Sequence, residues 1–91
     1  MNRKELVERL LETEGETLSR ARLGALLDRT FQLMTEALVD EGRVALPGFG
    51  TFTTHTTNER PGRHPKTGEK ITIAESRTVR FKPAPALKDR L

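Results

Sequence analysis

The chain has 91 residues, a net charge of +3, four Phe, and no Trp, Tyr or Cys. A chain this short makes one domain with a marginal core, and without cysteines neither a disulfide nor a thiolate-bound metal can staple it, so association with another chain is the remaining remedy. No stretch approaches the roughly 18 apolar residues of a membrane span, and the segment Met1–Glu5 turns acidic at once, unlike a secretory leader, so a cytoplasmic location is expected.

Asn2 followed by Glu5 is a capping-box pattern with Asn in place of Ser or Thr. Leu6, Val7, Leu10 and Leu11 then recur at helical spacing, which predicts a helix over about 3–13 with Gly15 as its stop. Ser19 is a good N-cap for a second helix over about 20–40, stopped by Gly42. Its apolar stripe includes Leu23, Leu26, Leu27, Phe31, Met34 and Leu38. That stripe is wider than one short helix can cover, so the excess is a partner surface. Gly24 inside this helix costs about 1 kcal/mol relative to Ala; close helix packing is its expected reason, and a tolerated blemish is the alternative.

After Gly42 the period changes to strand alternation at Val44 and Leu46, and Pro47-Gly48 marks a turn. Phe49 and Phe52 lead into the Thr-rich run 51–57, a second strand. A polar segment with two Pro and two Gly, residues 59–68, precedes a third strand in which Ile71, Ile73, Val79 and Phe81 share odd parity and hence one face. Pro83 and Pro85 introduce a short last helix over about 83–91. The order α-α-β-β-β-α is an α+β fold. Residues 1–42 form its helical part, 43–82 its sheet, and about 55–77 a β-ribbon arm, each side reaching about 25–30 Å at about 3.3 Å per residue.

The charge is unevenly placed. Residues 1–59 carry seven Lys/Arg against ten Asp/Glu, and residues 60–91 nine against three. An arm with Arg60, Arg63, Lys66, Lys70 and Arg77 and few apolar side chains becomes ordered most readily on a polyanion, where cations neutralise phosphates and release counterions. Arg3, Lys4, Arg20, Arg22 and Lys82 lie at helix starts, where cations oppose the macrodipole unless phosphate meets them. Pro65 near the tip is first of all a turn residue closed by Gly68. A flat ring without an amide donor is also able to wedge between base pairs.

Catalysis is disfavoured: the only histidines, His55 and His64, both lie in the arm, and two His do not close a structural metal site. Gly48-Phe-Gly50 lacks the third glycine and the βαβ context of a dinucleotide fingerprint. No metal or cofactor is expected. A protein-interaction module and an RNA-binding module are the alternatives; the arm has no aromatics on which to stack single-stranded bases.

Three motifs carry a resemblance. The run Ala45-Leu-Pro-Gly-Phe-Gly-Thr-Phe52, the segment Arg60-Pro-Gly-Arg-His-Pro-Lys-Thr-Gly-Glu-Lys-Ile71 and the C-terminal Phe81-Lys82 with Ala86-Leu87-Lys88-Asp89 resemble the bacterial HU / integration host factor family, in order and over essentially the whole chain. The resemblance implies an intertwined dimer with a helical base and three-stranded antiparallel sheets extended into two arms that embrace the minor groove of duplex DNA, bend or wrap it, and help compact the nucleoid without strong sequence preference. A site-specific bender of the integration host factor type is the alternative within the family. The resemblance makes Pro65 the intercalating proline, places Arg60 and Arg63 in the groove beside it, and adds His64, Lys66, Lys70 and Arg77 from the arm and Arg3, Lys82 and Lys88 from the body. It assigns Gly48 and Gly50 to the turn and implies a dimer core of Phe31, Met34, Leu38, Phe49, Phe52 and Phe81. The partner is a second copy, with a paralogue as the alternative. The chain departs from the family at His64, where Asn is usual, in a lower arm that carries His55 and Thr57 where basic residues are common, and at Pro85, where Lys is common. Grip is therefore expected near the tip and the helix starts.

Overall fold

A computed structural model describes residues 1–91. Helix α1 (Arg3–Glu14) begins where Asn2 Oδ1 accepts the Glu5 amide at 2.9 Å, the first half of the expected capping box. It ends at Gly15, whose backbone stays right-handed and whose amide reaches Leu11 O at 2.9 Å. Helix α2 (Arg20–Asp40) starts with Ser19 Oγ accepting the Arg22 amide at 3.1 Å. It ends at Gly42, whose φ of +78° is the left-handed conformation that glycine adopts without strain.

Strands β1 (Arg43–Leu46), β2 (Gly50–Thr57) and β5 (Ser76–Pro83) form an antiparallel sheet in the order β1-β2-β5. Strands β3 (Arg60–Arg63) and β4 (Lys70–Ile73) form a separate antiparallel ribbon. The sequence pattern predicts one unbroken strand on each side of the arm. Instead each side is interrupted, at Asn58–Glu59 and at Ala74–Glu75, giving five strands. Asn and Glu are weak strand formers and these four bring no pair of apolar side chains to hold the ladder closed. The register does not slip across the gap: Thr57 pairs with Ser76 before it and Arg60 with Ile73 after it. The last helix, α3, is only Pro85–Lys88, shorter than the expected 83–91, with Pro at its start and Asp89 at its end.

Between β1 and β2, the Phe49 amide donates to Leu46 O at 3.0 Å and Gly48 has φ +81°. Pro then Gly at the centre of this turn is the type II combination. Gly50 is needed for a different reason than the turn. A Cβ there would lie 2.4 Å from the Phe81 ring, which rests on the bare backbone. Phe81 is held between Phe49 and Phe52, with ring centroids 5.3 and 4.7 Å away.

The chain divides into two compact units, Met1–Glu36 and Ala37–Leu91. The division falls inside α2, because the last turn of that helix is tied to the sheet: the Thr54 amide donates to Gly42 O at 3.0 Å, and Arg77 reaches the α2 carbonyls. In the first unit, no packed helix accounts for Gly24, which is the tolerated blemish of the two expectations: only a flexible side-chain end lies near it. A Cβ there would stand 3.0 Å from Nη2 of Arg3, whose side chain crosses α2 to reach Asp28.

Very little of this single chain is buried. Val7 and Leu23 are the only buried large apolar side chains, at 5% and 4% exposure, whereas Phe31, Phe49 and Phe81 are 46%, 49% and 41% exposed. The accessible surface is 7650 Å², against about 5,300 Å² expected for a folded monomer of this mass.

Candidate nucleic-acid interface

The register sorts the side chains of the three-stranded sheet onto two faces of opposite character. Val44, Leu46, Phe52, Val79 and Phe81 share one face, since Val44 pairs with Phe52, Phe52 with Phe81, and Thr54 with Val79. The other face carries two cross-sheet rows, Arg43–Thr53–Arg80 and Ala45–Thr51–Lys82. Three exposed cations thus stand over a threonine floor with no carboxylate among them. Lys82 was predicted. Arg43 and Arg80 were not, although even parity with Lys82 was a usable signal for Arg80.

The ribbon continues the theme. Arg63 ends β3 directly opposite Lys70, on one face with Pro61 and Thr72. Two like charges facing each other across a ladder cost a few tenths of a kcal/mol or more in water; a polyanion turns that repulsion into attraction. Arg60, opposite Ile73, lies on the reverse face with Gly62, Ile71 and Ile73. The two arginines expected in the groove beside Pro65 therefore lie on opposite faces of the ribbon.

The tip is a tight, self-satisfied turn. The His64 amide donates to Glu69 O and the Gly68 amide to His64 O, each at 2.8 Å. Gly68 is left-handed, at φ +72°. His64 Nδ1 accepts the Lys66 amide at 3.2 Å, as the side-chain oxygen of an Asn accepts from two residues on in an Asx turn. Thr67 Oγ1 accepts the Glu69 amide at 3.3 Å, and Arg63 Nη1 donates to Gly68 O at 3.4 Å. These bonds hold the backbone around Pro65, whose ring is exposed at the turn.

Ion pairing marks the same division of labour. The three ion pairs, Arg3–Asp28, Arg20–Glu8 and Arg29–Glu36, all join helical residues. None of the cations from Arg43 to the C terminus is paired with a carboxylate. Arg3, predicted as a phosphate ligand, is engaged by both oxygens of Asp28 at 2.7 and 2.9 Å. The hydrogen bond and charge of Asp28 raise the Arg3 pKa, and the hydrogen bond from Arg3 holds the Asp28 carboxyl below the usual carboxylate range. Arg77 turns to the end of α2, and Lys88 lies in the last turn of α3, where a cation complements the helix dipole. Among the residues expected in a dimer core, Phe31 in α2 and Phe49 and Phe81 in the sheet are exposed, and Phe52, Met34 and Leu38 are half-buried.

The sequence pattern of the family described as bacterial DNA-binding protein matches residues 1–91. The chain is 45% identical to DNA-binding protein HU of Xylella fastidiosa over 98% of its own length and 93% of that protein. It is 40% identical to integration host factor subunit alpha of a Jannaschia species over its whole length and 89% of the relative. Its fold matches HU of Anabaena, solved in a cocrystal with DNA, at a TM-score of 0.83 and 30% identity, covering 99% of this chain and 96% of that one.

Proposed function

The chain belongs to the bacterial DNA-binding protein family of HU and integration host factor, and we propose that it works as an HU-like homodimer that bends duplex DNA with little sequence preference and packages it in the bacterial nucleoid. The observation that carries this reading is the set of cations free of carboxylates on one sheet face and at the ribbon tip: Arg43, Arg80 and Lys82 below, Arg63 and Lys70 above. Such a surface fits a backbone of phosphates and supplies affinity without reading bases.

The ribbon delivers Pro65. Arg63, His64 and Lys66 flank it in the chain, so Arg63 and Lys66 neutralise phosphates while the ring, lacking an amide donor, enters between base pairs and unstacks them; wedging of this kind is the known habit of the architectural proteins to which this family belongs. Arg60, on the reverse face, follows the opposite wall of the groove. The surface ledger supports the second copy. The roughly 2,300 Å² of surface beyond that of a folded monomer matches one chain's share of an obligate interface, and the exposed rings of Phe31, Phe49 and Phe81 are what a partner covers. No helix is long and apolar enough to cross a membrane; action on chromosomal DNA sets the cytoplasm as the place of work.

Titration of a fixed duplex at several salt concentrations tests the electrostatic grip: log K falls with log salt by about 0.9 per phosphate contact, and a flat plot rejects it. End-to-end energy transfer on the same duplex tests the wedge: Pro65→Ala leaves binding largely intact and reduces the bend, and an unchanged bend reduces Pro65 to a turn residue.

A further inference from the structure

Arg77 stands at the root of the arm and meets no carboxylate. Its Nη2 lies 3.4 Å from Leu38 O, 3.5 Å from Val39 O and 3.5 Å from Thr54 Oγ1. Leu38 and Val39 belong to the last turn of α2, where carbonyls lack helical partners and the dipole end is negative. That helix carries no basic residue of its own in its last turn, so Arg77 supplies the missing cation from a strand. Thr54 closes the circuit. Its hydroxyl donates to Gly42 O at 3.5 Å, beside the amide bond to the same oxygen, and its lone pairs remain to accept from Arg77. The helix end, β2 and β5 are thereby joined through one guanidinium.

The position of this junction gives it a consequence. Arg77 pairs with Thr56, one step before Thr57–Ser76, the last pair of the three-stranded sheet. Beyond that pair the ladder opens at Asn58–Glu59 and Ala74–Glu75. Arg77 is the last tertiary anchor before the gap. We propose that Arg77 is a positioning residue, a strap that fixes the direction in which the arm leaves the sheet and so governs the bend without touching DNA.

The test uses the full chain with Arg77→Gln, and with Arg77→Lys and Thr54→Val as milder companions that keep the charge or the shape. Thermal unfolding, the salt dependence of affinity for a short duplex, and end-to-end energy transfer are read for each. Arg77→Gln lowers Tm by several degrees, leaves the log K against log salt slope at the parent value, and diminishes the bend. Thr54→Val moves Tm and bend in the same direction by less, and Arg77→Lys recovers part of the Tm because a cation still faces the helix end. A slope smaller by about 0.9 makes Arg77 a phosphate ligand and overturns the strap, as does an unchanged Tm or a bend equal to the parent's. The bend readout rests on the DNA-binding reading. If the parent itself fails to bind the duplex, that reading falls, whereas amide exchange at Thr54, faster in Arg77→Gln if the strap holds and unchanged if it does not, still decides the role of Arg77.

Discussion

Replacing Gly50 with Ala adds one methyl at the most crowded point of the sheet. The new Cβ would lie 2.4 Å from Cε1 and Cζ of Phe81 and 2.7 Å from the Lys82 carbonyl oxygen. Carbon atoms at rest stay about 3.5–4.0 Å apart, so the ring must retreat by about 1 Å. It is confined on both sides by Phe49 and Phe52, and the Lys82 oxygen belongs to the paired backbone and cannot swing aside. Overpacking of this kind costs about 1–3 kcal/mol, and the backbone contact places Gly50→Ala in the upper half of that range. At about 4–8 °C per kcal/mol for a domain of this size, Tm falls by roughly 10–20 °C. Circular dichroism at one fixed chain concentration measures it, since assembly makes Tm depend on concentration. Gly48→Ala is the control. Its φ is +81° with nothing within 4 Å, so it loses only the left-handed backbone preference, about 1 kcal/mol. Adding Phe81→Leu to Gly50→Ala relieves the ring clash but not the Lys82 clash, and recovers part of the loss. A Gly50→Ala protein that melts with the Gly48→Ala protein, or with the parent, refutes the close-approach account.

Gly24→Ala goes the other way. Only the flexible end of Arg3 has to yield, so the gain in helix propensity, up to about 1 kcal/mol, raises Tm by a few degrees in the same assay. Arg3 holds the Asp28 carboxyl below its usual range, so the pair stabilises the fold above about pH 4 and is lost as pH falls through the lowered value. Asp28→Asn therefore lowers Tm slightly at neutral pH and approaches the parent at pH 3; a parallel displacement at both pH values contradicts this. The double variant Arg43→Gln/Arg80→Gln reduces the salt slope of duplex binding by about 1.8 per chain with little change in Tm, if both cations meet phosphate.

Local chemistry was legible in the chain, and distant chemistry was not. Asn2 and Ser19 cap helices whose first amides lie three residues away, and Gly42 and Gly48 take the left-handed conformations that a stop and a Pro-Gly turn require. Gly50 was misread as a second turn residue because its reason, Phe81, lies on another strand. Arg77 sits in a basic arm and reads as a phosphate ligand; the α2 carbonyls that its guanidinium reaches lie 38 and 39 residues away in sequence, beyond any local pattern. Arg43 becomes part of a basic face only once β1 is in register with β2. The family motifs located the tip and its proline, but alternation in the ribbon separates Arg60 from Arg63.

The unbroken register across the gap in the arm also limits how reach can vary by descent or by design. Every pair from Gly50–Pro83 to Arg63–Lys70 keeps the same alignment, so a single inserted residue on one side would turn each later side chain to the opposite face. It would part Arg63 from Lys70 and rotate the mounting of Pro65. Arm length can therefore change without loss of its chemical pattern only in matched steps, two residues on each strand at a time, and the open segment at 58–59 and 74–75 is the place where such steps disturb the fewest cross-strand bonds.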